Sequence, residues 1–334
     1  MPKYCVDFPR DQLASDVADL ARKGVLIGTS SWKYEGWLGL LYSRERYLTR
    51  GKISRAKFND TCLSEYAEVF KTVCFDGGLY QFPKPEMVHN YLSQVPEDFQ
   101  MSMKVPEDIT VRRFPNIPRN VAMKRVGITN ERFLDPRVFV ENFLSVLEPY
   151  RAKIGTLIFS FSTFKDDWKT GEQFFEALDS FLGRLPKGWN YSVEVRNRSF
   201  LQPIYFEVLR RHGVSHTFNS WMDMPPVIEQ LKVPNSFTAD FSTARFLLKP
   251  GRDYNEAVDT FEPYTEIKDP YPDARAALID LLLTPAKPGR PGRRFLYVNN
   301  RLEGCALWTI YAAISGLLGR KMPDLAAPPT FRLE

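Results

Sequence analysis

The stretch Asn190-Tyr-Ser-Val-Glu-Val-Arg196, followed by Asn197-Arg-Ser-Phe200, has the alternating pattern of a β-strand. Successive side chains of a β-strand point to opposite faces, so the tyrosine and the two valines share an apolar face that suits packing against helices. The other face presents Glu194 and Arg196. A carboxylate and a guanidinium two residues apart are either an ion pair that plugs one end of a barrel or sheet, or a carboxylate directed into a site with a cation beside it.

An alternation of β-rich and amphipathic helical stretches recurs eight times along the chain. Strands are predicted at 25–32, 72–76, 99–105, 156–161, 190–196, 214–219, 243–248 and 294–299. Helices are predicted at 11–23, 63–70, 87–92, 136–147, 171–182, 204–212, 227–231, 273–283 and 308–318. This order predicts an α/β protein with a single (β/α)8 TIM-like barrel and no internal domain boundary.

We expect three parts: an N-terminal helical extension at 1–24, the barrel at 25–320 and a C-terminal tail at 321–334. The segment 43–58 is basic and irregular, which indicates an excursion from the loop after the first strand. A second segment, from Pro106 to Arg132, contains prolines and basic residues and is predicted to be a long loop or lid.

The composition narrows the classes of function. The chain has 334 residues and a net charge of +5, which argues only weakly for nucleic acid or a membrane as partner. Its four cysteines form no CxxC pair and its three histidines lack zinc-type spacing, which argues against a disulfide framework or a structural zinc site. There is no apolar run of about 18 residues and no signal-peptide pattern, so the cytoplasm is the default location.

Polar residues recur near the carboxyl ends of the predicted strands. They occupy the alternate positions whose side chains point into the barrel. The active site of a (β/α)8 barrel lies at this end, where the loops that follow the strands meet. At a rim that is merely exposed to solvent, polar residues would not be confined so consistently to the inward-pointing positions. We therefore interpret the mouth of the barrel as a binding or active site. The residues that converge there are Asp76, Lys104, Ser160, Glu194, Arg196, Asn219, Arg245 and Asn299.

Five motifs stand out in order along the chain: Ile27-Gly-Thr-Ser-Ser-Trp32, Thr72-Val-Cys-Phe-Asp76 with Leu79-Tyr80, Lys104 with Ile109-Thr110, Val193-Glu-Val-Arg-Asn-Arg-Ser-Phe200, and Tyr297-Val-Asn-Asn300. Together they resemble the YecE-like family, also called domain of unknown function 72. The resemblance extends from about Val25 to about Leu318. It implies a TIM-like barrel, in agreement with the strand count, and no established activity.

The chain departs from the pattern that the resemblance implies. Where that pattern has Thr-Val-Glu followed by Asn, this chain has Cys74 and Asp76, and where it has Ile-Thr-His the last residue is Val111. The Gln-x-Pro after the fourth strand is Ser160-Phe-Ser162 here, and the histidine of Asn-Asn-His is Arg301. These differences indicate a divergent branch, either with altered chemistry or with binding alone.

The first functional hypothesis is an isomerase, lyase or hydrolase that acts on a small anionic, sugar-like metabolite with a phosphate or carboxylate group. Glu194 is the expected general acid or base, because a carboxylate in a water-poor mouth can have its pKa raised towards neutrality. Lys104, Arg196 and Arg245 are expected to hold the anion. The residues assigned to catalysis are Glu194, Lys104, Arg196 and Asp76; those assigned to substrate binding are Trp32, Tyr80, Arg245, Asn219, Asn299 and Asn300.

The second hypothesis is a barrel that binds or processes nucleic acid. Its basis is the basic residues of segments 43–58 and 112–125, with Tyr42, Tyr47 and Phe58 interleaved in the first. Basic residues near aromatic rings suit a phosphate backbone and stacked bases. The plainer interpretation of both segments is a solvated, charge-rich loop.

The third hypothesis is a metal-dependent hydrolase that uses Asp76 and Glu194. No histidine lies at a predicted strand end, so only oxygen-liking ions such as magnesium or manganese fit. We predict no cofactor and rank this hypothesis last. Cys74 is expected to be a small buried residue rather than a nucleophile. His216 lies at an alternate strand position shared with apolar residues, so we expect it to pack against helices.

Overall fold

A computed structural model describes residues 8–77, 81–165, 168–285 and 292–322. Eight parallel strands close into a barrel in which each strand pairs with the next along the chain and the last pairs with the first. The eight predicted strands and the barrel are confirmed. The strands are β1 Val25–Thr29, β2 Thr72–Phe75, β3 Gln100–Lys104, β4 Ile154–Ser160, β5 Tyr191–Glu194, β6 Ser215–Asn219, β7 Ser242–Phe246 and β8 Arg294–Val298.

Helices connect the strands and pack their apolar faces on the barrel. The described helices are α1 Arg10–Arg22, α2 Arg55–Val69, α3 Pro85–Leu92, α4 Glu107–Thr110, α5 Pro118–Ala122, α6 Pro136–Phe139, α7 Glu172–Gly183, α8 Pro203–His212, α9 Val227–Gln230, α10 Tyr254–Phe261, α11 Pro272–Leu283 and α12 Ala306–Leu317. A π-helical turn at Val140–Leu144 carries α6 on into Ser145–Leu147. None of the helices within these described ranges has both the length and the hydrophobicity that a membrane crossing requires.

Helix α2 begins earlier than predicted. The sequence predicted an irregular segment up to Phe58, but the helix begins at Arg55, because the Ser54 side chain caps it by accepting a hydrogen bond from the backbone N–H of Lys57. A short two-stranded hairpin, Leu48–Thr49 with Lys52–Ile53, precedes this cap. The basic segment is therefore largely structured.

Helix α1 precedes the barrel and packs on it. Its Leu13 and Val17 are fully buried within the main apolar core. Asp16 on the same helix forms an ion pair of 2.7 Å with Arg320, which joins the two ends of the described chain. Residues 323–334 of the predicted C-terminal tail lie outside the described residues.

A glycine and a tyrosine close the seam between β1 and β2, which positions the strand that leads to Asp76. A Cβ atom on Gly28 would lie 2.1 Å from the carbonyl oxygen of Thr72, so only glycine permits this approach. The hydroxyl of Tyr66 on α2 accepts a hydrogen bond from the backbone N–H of Thr29 and donates one to the Thr72 carbonyl, both at 3.0 Å.

The interior of the barrel contains a layer of hydroxyl groups contributed by β2, β3 and β8. The Tyr297 hydroxyl donates to Ser102 Oγ and lies 2.9 Å from Thr72 Oγ1, which in turn donates to the carbonyl oxygen of Gln100. We call Thr72, Ser102 and Tyr297 the hydroxyl layer. These groups satisfy one another without any charge.

Two single-residue predictions agree with the packing. Cys74 is fully buried, and burial raises the pKa of its thiol well above the ordinary value, so a reactive thiolate is disfavoured. His216 points away from the barrel interior and packs edge-on against Tyr205 and Phe206 of α8.

Candidate functional site at the barrel mouth

Five charged side chains meet at the carboxyl ends of four strands. Asp76 follows β2, Lys104 ends β3, Glu194 ends β5, Arg196 follows two residues later, and Arg245 lies on β7. We call these five residues the charged cluster. They come together because strand alternation points their side chains into the barrel, as predicted from the sequence.

Arg245 is the centre of the charged cluster. It is 1 % exposed, and its two terminal nitrogens bind two different carboxylates. Nη1 donates to Glu194 Oε2 at 2.6 Å, and Nη2 donates to both oxygens of Asp76 at 2.7 and 2.8 Å. Charge-assisted bonds of this length are among the strongest in proteins, so Arg245 locks β2, β5 and β7 together at the mouth.

Glu194 is fully buried and is held as a carboxylate. Burial by itself raises the pKa of this carboxyl, but the positive charges of Arg245, Arg196 and Lys104 outweigh burial and keep the pKa well below its ordinary value. The Ser160 hydroxyl also donates to Glu194 Oε1 at 2.7 Å. The expectation of a raised pKa at Glu194 is therefore wrong, and the residue is unsuited to acid–base catalysis near neutral pH.

Arg196 connects the charged cluster to the rim. Its guanidinium lies 3.3 Å from Glu194 Oε1 and 3.7 Å from the ring centroid of Trp221, and its side chain is 16 % exposed. Asp76 is also partly open, with 32 % of its side chain exposed. A molecule that enters the mouth therefore meets Asp76 and Arg196 first.

Lys104 differs from the other four members. The residue is 4 % exposed, and within the described part of the chain its ammonium has neither a hydrogen bond nor an ion pair. Burial lowers its pKa to about 8; the charges of Asp76 and Glu194 oppose this shift, whereas the two guanidiniums add to it. Lys104 is thus the member of the cluster whose protonation changes near neutral pH.

The charges of the cluster do not balance. Three cations face two carboxylates, and both carboxylates are bound by Arg245, one of them by Arg196 as well. The surplus positive charge therefore lies at Lys104. A buried charge without a partner costs stability unless an anion completes the site.

The other residues predicted to bind substrate have different surroundings. Trp32 is 2 % exposed and packs edge-on against Tyr91, so it does not form an open stacking wall. The Asn219 amide donates to the carbonyl oxygen of Val195 at 3.1 Å. Tyr80 lies outside the described residues.

The two asparagines after β8 stabilise their own loop. Asn299 Oδ1 accepts a hydrogen bond from the backbone N–H of Arg301 at 2.9 Å, and Asn300 Oδ1 accepts one from the N–H of Ala306 at 2.8 Å. Both are buried. Their oxygens therefore order the turn into α12 rather than face a ligand.

The aromatic residues on which the nucleic-acid hypothesis depends are buried. Tyr42, Tyr47 and Phe58 are at most 2 % exposed and pack against one another edge-on, so they are not placed to stack on bases. In the second basic segment, Arg119 and Arg125 both bind the carboxylate of Glu107.

A guanidinium stands between the two carboxylates assigned to a metal. Arg245 binds both Asp76 and Glu194, so the space between their oxygens holds a cation of the protein itself. In the described residues no group of three or more His, Cys, Asp or Glu side chains is arranged to hold a metal ion.

Sequence reasoning missed two residues at the rim, Trp221 and Arg301. The guanidinium of Arg196 lies over the ring of Trp221, and the guanidinium of Arg301 lies 4.4 Å from the ring centroid of Tyr254. The available signal was position, because each residue comes two or three places after the end of a barrel strand.

Comparison with known proteins gives a family. A family model described as "Protein of unknown function DUF72" matches residues 26–329. The UPF0759 protein YecE of Escherichia coli K12 is 28 % identical over 177 residues, 53 % of this chain and 50 % of YecE. The chain thus aligns with half the length of this curated relative. The resemblance indicated by the sequence motifs is confirmed.

Solved structures give the fold. A DUF72 family protein from Thermotoga maritima has a TM-score of 0.57 and 18 % identity, over 89 % of this chain and 99 % of that one. A DUF72 family protein from Enterococcus faecalis has a TM-score of 0.56 and 16 % identity, over 93 % of this chain and 100 % of that one. At these identities the likeness shows the fold alone.

Proposed function

This chain belongs to the family of proteins of unknown function DUF72, and we propose that it is an enzyme that acts on a small anionic metabolite at the barrel mouth. The observation that carries the proposal is the buried Lys104, whose amine has no partner among the described residues and belongs to a cluster with one positive charge in surplus. The ligand that completes such a site has a carboxylate or phosphate group. Lys104 takes the acid–base role that the sequence assigned to Glu194.

The division of roles follows from the contacts. Arg245 and Glu194 form the rigid base of the site, because each is bound on both sides and neither is exposed. Arg196, partly open and stacked on Trp221, contacts the anionic group of the substrate. Lys104, with a pKa near 8, exchanges the proton, since an acid–base group works best when its pKa is close to the working pH. Isomerase, lyase and hydrolase reactions all fit these parts.

The proposal is tested by the response of stability to anions. Thermal unfolding of the wild type and of Lys104→Met is measured with a panel of phosphorylated and carboxylated sugars at constant ionic strength. A ligand at about 100 times its Kd stabilises the folded state by about 3 kcal/mol. At least one member of the panel is expected to raise the midpoint of the wild type by several degrees and to leave Lys104→Met unchanged.

Lys33→Met is the matched control. Lys33 lies after β1 at the same end of the barrel, but its amine donates to the Tyr91 hydroxyl at 3.1 Å and lies outside the charged cluster. This variant should respond to the anion as the wild type does. If no member of the panel stabilises the wild type more than Lys104→Met, the proposed function is overturned.

The anion response should also depend on pH. The ammonium of Lys104 attracts an anion and the neutral amine does not, so the stabilisation should weaken as the pH rises through about 8. Measurement of the same ligand at pH 7 and pH 9.5 checks this expectation. A response that is equal at both values would contradict an anion site at Lys104.

A further inference from the structure

The surroundings of Lys104 are those that turn a lysine amine into a nucleophile. A protonated amine has no free electron pair, so a lysine nucleophile requires burial or neighbouring cations that disfavour the proton. Lys104 has both, since it is 4 % exposed and shares the cluster with Arg196 and Arg245. Within the described residues no side chain has to release its amine before it reacts.

We propose that Lys104 forms a covalent imine with the carbonyl group of an anionic substrate, such as a 2-oxo acid or a phosphorylated aldehyde or ketone. This inference rests on the proposed function and names its substrate class. The protonated imine keeps the positive charge of the ammonium that it replaces. The charge surplus that favours an anion therefore remains in the covalent complex.

The step balances without a further reactant. The ammonium of Lys104 first gives a proton to a carboxylate, and the neutral Nζ attacks the carbonyl carbon to form a C–N bond. A proton moves from nitrogen to the former carbonyl oxygen, and the first proton then returns to that oxygen, which leaves as water. Ammonium and carbonyl compound thus give a protonated imine and water, with no net uptake or release of a proton.

Asp76 is the carboxylate suited to carry that proton. Among the neighbouring charged groups it acts most strongly on Lys104, and 32 % of its side chain is exposed, so it can exchange with solvent. Glu194 is unsuited, because three cations keep it ionised. Asp76 therefore relays the proton, while Glu194 holds the guanidiniums.

A protonated imine withdraws electrons from the carbon next to the former carbonyl group. This assists removal of a proton from that carbon or cleavage of the bond beyond it. Of the three classes that fit the mouth, the inference favours a lyase or an isomerase over a hydrolase.

Reductive trapping tests the inference. The full-length chain is incubated at pH 7.5 with pyruvate, glyoxylate or glycolaldehyde phosphate and with sodium cyanoborohydride, which reduces an imine to a stable secondary amine. The intact mass should increase by the mass of the probe less one oxygen atom, and peptide mapping should place the adduct on Lys104. Labelling of Lys104 should exceed that of Lys33 in the same molecule by about tenfold or more, since a pKa of about 8 leaves roughly a quarter of the Lys104 amine neutral at pH 7.5.

Variants make the test specific. Lys104→Met and Lys104→Arg should both lose the selective adduct, the second while it retains a positive charge, and Lys33→Met should keep it. Equal labelling of Lys104 and Lys33 with every probe would overturn the imine. If anions stabilise the wild type but not Lys104→Met and no selective adduct forms, the imine fails and the proposed function stands; if neither response is seen, both fail.

Discussion

Two layers of side chains fill the same barrel a few residues apart, and their polar groups are satisfied in opposite ways. In the hydroxyl layer, Thr72, Ser102 and Tyr297 hydrogen-bond with one another and carry no charge. In the charged cluster, two carboxylates and two guanidiniums form an ion-pair network that is buried at Glu194 and Arg245, and Lys104 lies beside it with no partner among the described residues.

The difference between the layers is the reason to assign the hydroxyl layer to the scaffold and the charged cluster to the proposed function. A fold needs its buried polar groups to be satisfied, and the hydroxyl layer meets that need with neutral groups. Buried ion pairs are often no better for stability than apolar residues of similar size, and an unpaired buried cation is worse. The charged cluster is therefore the part of the interior whose composition stability alone does not explain, which is typical of a functional site.

Removal of Arg245 should have the largest effect on stability. Arg245→Met leaves the buried carboxylate of Glu194 and the partly exposed carboxylate of Asp76 near each other without their guanidinium. Loss of one partner of a buried pair costs about 3–5 kcal/mol, and two pairs are lost here, so the free energy of unfolding in urea should fall by roughly 5 kcal/mol. Arg211→Met, which removes an exposed ion pair with Asp179, is the control and should cost less than about 1 kcal/mol. Equal losses in the two variants would contradict the central role of Arg245.

Removal of the Glu194 charge should have the next largest effect. Glu194→Gln is expected to lower the free energy of unfolding by about 3 kcal/mol at pH 7. Because the pKa of Glu194 is lowered in the folded state, its charge stabilises the fold above the ordinary glutamate pKa, and this contribution is lost as the pH falls below about 5. The wild type and the variant should therefore converge in acid. Glu68→Gln, at an exposed ion pair, is the control, and a difference that does not change with pH would argue against an ionised Glu194.

A change in the hydroxyl layer should have the smallest effect. Tyr297→Phe removes the hydroxyl that donates to Ser102 and should cost about 1 kcal/mol, as for one typical buried hydrogen bond. The anion response of this variant should equal that of the wild type, since no charge changes. Tyr311→Phe, in the apolar core around α12, serves as the control for loss of a tyrosine hydroxyl. A lost anion response in Tyr297→Phe would show that the two layers do not divide scaffold from function.

Strand alternation predicted much of the fold and the meeting of charged side chains at the barrel mouth. The alternation of residues 190–196 placed Glu194 inward, and the same rule applied to the other strands brought Asp76, Lys104 and Arg245 to the same mouth. The rule works because the direction of a strand side chain depends only on its position in the strand. It also works because parallel strands all end at the same face of a barrel.

The electrostatics of the site could not be predicted from the sequence, because they depend on distant partners. Arg245 binds one carboxylate 51 residues away and another 169 residues away, and no local pattern shows either contact. The direction of the pKa shift at Glu194 follows from these contacts, so the expectation of a raised pKa, which was based on the sequence, had the wrong sign. The Ser54 cap and the Asn300 turn are short-range contacts, but the sequence analysis placed Ser54 in an irregular segment and assigned Asn300 to substrate binding.

The most direct test of the account compares the stability of the wild type and of Lys104→Met from pH 7 to pH 10.5. The pKa of Lys104 is lowered to about 8 in the folded state, so the unfolded chain binds more protons between pH 8 and the ordinary lysine pKa of about 10.4. Below pH 8 the buried ammonium therefore costs about 3 kcal/mol, and this cost disappears as the pH rises. Lys104→Met should therefore be more stable than the wild type by about 3 kcal/mol at pH 7, and the difference should approach zero by about pH 10.5. A variant that is less stable at pH 7, or a difference that does not change with pH, would contradict the claim that Lys104 is a buried cation with no partner among the described residues.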